Sequence, residues 1–577
     1  MSPQEAAEVL SRFALALELA GADEFRARTF ANAARLLESE TDPVEQLIAE
    51  HRLGQMKGIG KAVEAALREL CDTERLAALE EVEKQIPPGV FDLLRVQGLG
   101  VKKARVLWQQ ANITSLEKLE LALRGNTLPP LPGLGAKTYE KFLQSIDFLH
   151  EMEGRFHRHV ATREALIVRR LLQPIPGVKS VYFGGSFRRG CETVGDLDVI
   201  LSADGDAGDS VRERIRFLSE IRWTKTDSDL WQGTTAARMP IEISLVTPEA
   251  LPAHLLLFTG SKSHYSALCQ VAKEKGFRLD NDSMIDPHGH LVTLRNESDV
   301  YRTLGLEPVP PALRETADTL VPAGSRKFPQ PVALRDFRGI LHNHSTYSDG
   351  LSTIREMALS MIAKGYEYVG IADHSQAAQY ARGLYPDRVK EQWNEIDALN
   401  EELAPFRILK GTEVDILPDG RLDFGDDLLS GFDYVVASIH SKFQMTEDEA
   451  ADRLCHALEN PQVDILGHPT GRLLLQRKGY PIDHERVIQC AAKHGKAIEL
   501  NCHPYRLDLD WRWLARCEEL GVPVPINPDA HAISELNYVR YGVQVAAKGP
   551  LTAANCPSTW TADEFLEWCQ TRKKPAR

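Results

Sequence analysis

Gly339-Ile340-Leu341-His342-Asn343-His344-Ser345-Thr346-Tyr347-Ser348-Asp349-Gly350 places two imidazoles one residue apart and a carboxylate five residues beyond the second. On an extended chain, side chains at i and i+2 share a face. His342 and His344 are therefore positioned to hold one cation between them. The apolar pair Ile340-Leu341 reads as the strand, and Ser348-Asp349-Gly350 reads as its turn.

The pattern recurs toward the C-terminus, where apolar, β-rich runs end in a ligand-type side chain. The runs are Gly339–His344, Tyr368–His374, Ile408–Asp415, Tyr434–His440, Val463–His468, Ala497–Cys502 and Val522–His531. Helical periodicity over Thr353–Ala363, Asp387–Leu403, Glu447–Leu458 and Asp483–Lys493 separates them. Strand–helix alternation predicts a parallel sheet, and ligands gathered at strand C-terminal ends predict a barrel with its site on that face. The candidate ligands are His342, His344, Asp349, His374, Glu413, His440, His468, Asp529 and His531. A lone histidine at a strand end is usually just a satisfied polar residue, but nine such residues at consecutive strand ends are not explained that way. A mixed imidazole and carboxylate set suits Zn, Mn or Fe, and nine ligands exceed the need of one ion.

The motifs His342–Gly350, Ala372–Ser375, Gly411–Leu417, Ser438–Ser441, Gly467–Pro469 and Pro528–His531 carry a close resemblance. From Asp336 to about residue 570 the chain resembles the PHP (polymerase and histidinol phosphatase) domain. The resemblance implies a distorted seven-stranded barrel, up to three divalent metals (Zn²⁺, Mn²⁺ or Fe) on these nine positions, and water activation for phosphoester hydrolysis.

At 577 residues, three or four domains are expected. Hydrophobic residues are 43% and charged residues 26%, a globular composition. No run is apolar enough to span a membrane, and the N-terminus lacks a signal-peptide pattern. Nine cysteines are scattered without a C-x-x-C pair; Cys71, Cys191, Cys455 and Cys490 sit among helix and strand patterns, which points to a reducing cytoplasm. The net charge of −14 runs against nucleic-acid binding, which depends on neutralising phosphates. Part of that acidity belongs to candidate metal carboxylates, and local basic clusters remain at Arg26/Arg28, Lys102/Lys103/Arg105, Arg155/Arg158 and Arg188/Arg189.

Three glycine turns precede residue 150: Met56–Lys61, Val96–Lys103 and Leu131–Lys137. Each is followed by a helical pattern, so backbone N–H groups are exposed at a helix start, a ready phosphate site that reads no base. The candidate DNA contacts are Gly58, Gly60, Lys61, Gly98, Gly100, Lys102, Gly133, Gly135 and Lys137. The three copies resemble helix-hairpin-helix motifs. The first lies in a segment, with Phe25–Phe30 and Ala33–Leu36, similar to the N-terminal domain of family X DNA polymerases.

Next, Val181–Phe183 reads as a strand, Gly184-Gly185-Ser186 as a tight turn, and Gly195-Asp196-Leu197-Asp198 places two carboxylates on one strand face. Such a pair can bridge two divalent cations for in-line phosphoryl transfer. With Phe258-Thr259-Gly260-Ser261-Lys262 downstream, roughly residues 1–315 resemble family X DNA polymerases. The resemblance implies Mg²⁺ or Mn²⁺ on Asp196, Asp198 and a third carboxylate, and nucleotide contacts from Gly185, Ser186, Arg189, Phe258 and Gly260. The third carboxylate is Glu242 where the family has Asp, and the arginine two residues on is Ser244. Leu257 replaces an aromatic, Tyr265 an asparagine, and Ala66 the lyase lysine, with Lys57 and Lys61 nearby.

The chain thus resembles bacterial family X DNA polymerases, a polymerase core joined to a C-terminal PHP domain. The fold class expected is multidomain α+β and α/β: a helical helix-hairpin-helix region, a nucleotidyltransferase palm and a distorted (βα)7 PHP barrel. Expected boundaries are 1–85 and 86–150 (helical), 151–245 (palm), 246–315 (nucleotide-selecting), 316–335 (linker) and 336–577 (PHP); the joint is the Pro-rich stretch Pro308–Pro331, ending at Asp336, with room for a helix at Ala312–Asp318. The implied function is short-gap DNA repair synthesis with a metal-dependent 3′–5′ exonuclease or phosphoesterase. Its substrates are gapped or primer-template DNA and dNTPs, and the chain is expected to be a cytoplasmic monomer. The alternative is a PHP phosphoesterase or nuclease whose polymerase half serves as a DNA-binding module, a reading supported by Glu242 and Ser244.

Overall fold

The computed structural model describes all residues except 2, 22–23, 39–42, 57, 205–207, 227–229, 326–327 and 574–577. The N-terminal 150 residues are helical. Apolar faces of the helices Pro3–Ala20, Glu24–Glu38 and Lys61–Thr73 bury Leu10, Phe13, Phe30, Val63 and Leu67 in one core. A second core, built on Leu93, Leu107, Leu119, Phe142 and Ile146, reaches back to Ala16 and Leu19 of the first helix. One long helix therefore serves both helical layers.

A five-stranded sheet follows, in the order Val178–Phe183, Leu197–Ala203, Pro240–Val246, Leu230–Thr234, Arg222–Thr226. Its central pair, Leu197–Ala203 with Pro240–Val246, is parallel and sets Asp198 opposite Glu242. The other pairs are antiparallel. A small helical core around Leu256, Leu268, Val300 and Tyr301 comes next.

The joint is more ordered than a linker. Leu320 and Phe328 pack on that small core, and Val332 lies 2% exposed in the following core, its N–H bonded to Leu551 O. At Ala312–Asp318 there is no helix, only 3₁₀ turns at Pro311–Leu313 and Ala317–Thr319.

The C-terminal part is a parallel curled sheet of six strands: Gly339–Ile340, Tyr368–Ile371, Arg407–Asp415, Tyr434–Ser438, Ile465–Leu466 and Ala497–Ile498. After Glu499 the last strand resumes as Leu500–Asn501 and pairs with Ile526–Asn527. The curl closes through a parallel bridge between Asn343 and Ala530, with His344 N–H donating to Ala530 O at 2.8 Å. The distorted (βα)7 barrel is thus present, with short strands. The predicted helices form as Ile354–Ala363, Pro386–Glu402, Glu447–Glu459 and His484–His494. The caps explain the starts: Thr353 and Glu356 form a capping box, as do Thr446 and Glu449, and Asp483 accepts from Arg486 N–H. Tyr368 and Tyr434 fill the barrel interior with Phe565 of the helix Ala562–Lys573. That packing plugs one end, and the strand C-terminal ends are left to carry polar side chains.

Candidate metal centres and nucleic-acid interface

All nine candidate ligands meet at the C-terminal end of the barrel. Their donor atoms form four overlapping groups, each within 4.8 Å: His344, Asp349, His374 and His531; His342, Glu413 and His468; His342, His344 and Asp529; His374, Glu413 and His440. Glu413 is the hub. Its oxygens lie 3.4 Å from His342 Nε2, 2.8 Å from His374 Nδ1, 3.2 Å from His440 Nε2 and 2.9 Å from His468 Nε2. His344 Nε2 is 3.1 Å from Asp529, and His531 Nε2 is 3.4 Å from Asp349. The groups share His342, His344, His374 and Glu413, as ligands of neighbouring cations would.

Burial tests the fit. Both Glu413 oxygens, His342 Nε2, His344 Nδ1, His374 Nδ1 and His468 Nδ1 are buried without a hydrogen-bond partner. Orphaned buried polar atoms are costly, and this imidazole and carboxylate set fits borderline divalent cations. The electrostatics agree. Burial opposes the charged form of every group here, yet the surrounding imidazoles hold Glu413 and Asp529 well below the usual carboxylate range. His440 and His531 are pushed up to about 10, the pull of Glu413 and Asp415 on one and of Asp349 and Asp529 on the other outweighing burial. His344, buried among His531 and His374, falls to about 3. Imidazoles held in this way must release their protons for a cation to bind, so metal loading would be pH-dependent.

Sequence reading missed the groups behind the ligands. Glu499 is fully buried, with Oε1 2.7 Å from His342 Nδ1 and Oε2 accepting from His468 N–H at 2.9 Å. Asn527 Nδ2 donates to the same carboxylate at 3.0 Å. Asp373 accepts from Ser345 N–H at 2.8 Å, from Gln392 Nε2 at 2.5 Å and from Ser348 Oγ, which ties down the turn that presents His344 and Asp349. Carboxylates behind ligating histidines fix the tautomer and raise basicity. The alternation Glu499-Leu500-Asn501 at a strand end was the available signal. Arg506 Nε also approaches Asp529 at 3.4 Å.

In the five-stranded sheet, Asp196 immediately precedes the strand carrying Asp198. Asp198 is raised to about 7 by burial and by its neighbours Asp196 and Glu242, and Asp196 is raised by burial and Glu242. The charges of the three carboxylates thus oppose one another, and a cation among them would relieve that. Glu242 Oε2 accepts from Gln232 Nε2 at 2.7 Å. Gly185 lies over Asp198 with φ +55°, leaving no room for a side chain. A cleft of about 790 Å³ opens beside Glu242, Ser244, Leu257 and Phe258, and Phe258 stacks on His254 with centroids 4.5 Å apart. Gly260 ends the helix Leu251–Thr259, and Ser186 lies in the short helix Gly185–Arg188.

The arginines differ from expectation. Arg189, expected on triphosphate, donates to Glu315 at 3.1 Å and to Thr259 O at 2.9 Å. Arg188 pairs with Glu297 at 2.6 Å. Arg158 is 3% exposed and binds Cys191 O, Phe187 O and Gln544. These basic clusters are braces between elements, because each found a partner remote in sequence.

The three glycine turns share one geometry. Gly58, Gly98 and Gly133 have φ of +112°, +79° and +72°, and Gly60, Gly100 and Gly135 then cap the helices Lys61–Thr73, Val101–Ala111 and Ala136–Glu151 without a side-chain bond. The first N–H groups of each helix are therefore unclaimed by a cap, and Lys61, Lys102 and Lys137 stand in the first turn. Ala66 is buried in the first core; Lys57 lies outside the described residues. None of the nine cysteines, all among the described residues, is in a disulfide. No helix among the described residues is long and apolar enough to cross a membrane.

Comparison with known proteins agrees with this arrangement. Residues 1–76 match a helix-hairpin-helix domain, 254–315 the DNA polymerase beta thumb and 341–503 the PHP domain. A DNA polymerase/3′-5′ exonuclease of Bacillus subtilis is 38% identical over 553 residues, 95% of this chain and 96% of the relative. Probable phosphatases of Caldanaerobacter subterraneus and Acetivibrio thermocellus are 31% and 32% identical over 33% and 34% of this chain, and 74% and 80% of their own lengths. Aligned with the first of these along nearly its whole length, the chain belongs to the bacterial family X DNA polymerases that carry a C-terminal PHP domain.

Proposed function

We propose that the chain is a repair-type DNA polymerase that fills short gaps, with a separate 3′–5′ exonuclease or phosphoesterase centre in the PHP barrel. The observation that carries this reading is the pair of distinct ligand clusters. One has Asp198 and Glu242 on two paired strands with Asp196 just ahead of the first; the other has nine candidate ligands in four overlapping groups, two of which share Glu413. In the first, Asp196, Asp198 and Glu242 would hold Mg²⁺ or Mn²⁺ while Gly185 and Ser186 admit the triphosphate and Phe258 borders the nucleotide. In the second, the nine ligands would hold up to three Zn²⁺, Mn²⁺ or Fe ions, oriented by Glu499 and Asp373. Divalent cations there supply Lewis-acid polarisation of phosphoryl oxygens and a nucleophile at neutral pH. The protein supplies fixed geometry, exclusion of water from Glu413 and its neighbours, and a guanidinium at Arg506 for the substrate phosphate. The glycine turns would grip the DNA backbone without reading bases. Gapped or primer-template DNA and dNTPs are the substrates, and the cytoplasm, where thiols stay free, is the place of action.

The second reading, a PHP nuclease on a DNA-binding former polymerase, draws on Glu242, Ser244 and the capture of Arg189 by Glu315. Primer extension on gapped DNA with Mg²⁺ or Mn²⁺ separates the two. The first reading expects extension that Asp198→Ala abolishes while exonuclease activity survives. Absence of extension by the parent supports the second reading, and loss of both activities in folded Asp198→Ala refutes two independent centres.

A further inference from the structure

The helical region and the PHP barrel face each other across a cleft of about 780 Å³, within the usual range of ligand pockets of about 300–1,000 Å³. Its lining is unlike the rest of the chain. Lys141, Lys442, Arg477 and Lys478 line it, and none of its lining residues is acidic, although the chain carries a net charge of −14. One wall holds Gly98 of the second glycine turn, where an added Cβ would meet nothing within 4 Å. That turn is therefore open toward the cleft. Lys478 reaches Glu151 at 2.9 Å, outside the cleft lining. Among the described residues, neither Lys141 nor Lys442 has a carboxylate partner. Lys442 is exposed and holds φ at +57°, a costly conformation for a long side chain.

The cleft adjoins the loop that carries one candidate ligand: Gly471, in its lining, donates its N–H to His468 O at 3.1 Å, and Arg472 Nε donates to Arg506 O at 2.9 Å. Arg477, on its far wall, is depressed by burial and by the nearby guanidinium of Arg506, and it also senses Tyr380. Arg477 Nε is buried without a partner. Arg506 lies 3.4 Å from Asp529, and the Tyr380 ring, 71% exposed, lies 6.2 Å from that of His374. Arg477 Nη2 donates to Gly471 O at 2.9 Å and its guanidinium covers the Phe443 ring at 4.7 Å, so its buried Nε and the Arg506 guanidinium beside Asp529 are the donors offered to an anion. A second cleft, of about 560 Å³, shares Arg477 and Lys478 but is lined also by Glu192, Glu315 and Asp510, so the acid-free lining ends there.

We infer that the cleft between the second glycine turn and the 442–480 loops is a single-strand DNA track, along which Lys141, Lys442, Arg477 and Lys478 pair with successive phosphates and deliver a 3′ end past Arg506 to the PHP cluster. The direction toward a 3′ end rests on the nuclease reading above; the binding surface itself does not. A positive groove that tracks the backbone is the usual means of holding a single strand without sequence preference. The track would also separate this chain's substrate from small phosphate esters, which need the cluster but not the groove.

The test compares the parent with Lys141→Ala/Lys442→Ala, two exposed positions whose loss leaves both cores intact. The probe is a fluorescein-labelled oligothymidylate, with binding read by anisotropy in Ca²⁺ across a salt series. Single strands give a slope of about −0.7 per phosphate contact in log K against log salt. The double variant should therefore bind more weakly at low salt and lose about 1.4 from the slope. In Mn²⁺, the KM for exonucleolysis of the same oligonucleotide should rise about tenfold, while turnover of bis-p-nitrophenyl phosphate stays at the parent value. An unchanged affinity and slope would overturn the track. So would weakened binding with an unchanged exonuclease KM, because the groove would then not feed the cluster. A parent that cleaves neither substrate would reject the nuclease reading, and the salt slope would still decide the groove.

Discussion

Replacing Gly185 with alanine should disable nucleotide addition through a displacement that the structure sets. The Gly185 backbone lies at φ +55°, and a Cβ built there falls 1.9 Å from Asp198 Oδ2. Such contacts do not close below 3.0 Å, so the carboxylate must retreat by about 1 Å or more. A misplacement of about 1 Å at a reacting centre costs about a hundredfold in rate, equivalent to about 2.7 kcal/mol of barrier. The left-handed backbone adds about 1–2 kcal/mol of destabilisation for a residue with a Cβ, small enough to leave a domain folded. Single-turnover filling of a one-nucleotide gap, with Mg²⁺ saturating, reads the rate; thermal melting and exonuclease activity on the same preparation report integrity. Gly185→Ala should lose about a hundredfold in extension and keep its exonuclease rate. Extension within threefold of the parent, in a folded protein, would refute the placement of the metal carboxylate at Asp198.

Glu242→Asp should raise the extension rate or shift preference from Mn²⁺ toward Mg²⁺, because Mg²⁺ demands near-ideal octahedral geometry and the longer side chain is now steered by Gln232; extension by Glu242→Ala equal to the parent's would show that this residue holds no cation. His344→Ala and Asp529→Ala should each release metal, read by elemental analysis after gel filtration, and abolish exonuclease activity with primer extension retained; full exonuclease activity in the metal-free double variant would exclude the cluster as the hydrolytic centre. His264, buried and bonded to Tyr301 OH at 2.9 Å, is lowered to about 4. Its folded pKa lies below its unfolded value of 6.5, so its contribution is complete above pH 6.5 and is lost as pH falls toward 4, by up to about 3 kcal/mol. The melting midpoint should therefore drop between pH 7 and 5, and His264→Gln should flatten that drop; an unchanged slope would remove His264 from the account.

Residues close in sequence determined a good deal by themselves. Alternation at i and i+2 put His342 with His344 and Asp196 with Asp198, because strand geometry is local. Glycine turns and capping residues set where helices begin, as at Gly100 and Thr353, because a cap needs only its own next three residues. Repetition of one pattern at successive strand ends was enough to name nine candidate ligands and the barrel that gathers them. Tertiary structure decided everything that required distant partners. Glu499 stands 157 residues from His342, so no window of sequence pairs them. Arg188 and Arg189 read locally as free cations, and only the folded chain reveals Glu297 and Glu315 as their partners, with Lys548 of the barrel closing on Glu315 from 233 residues away. The cleft between Gly98 and Lys442 exists only because two separately built cores come to face each other. Local dihedral preferences act over a few residues and are written in the order of the chain. Charge pairing and cavity shape depend on distance in space, which that order leaves open until the cores are packed.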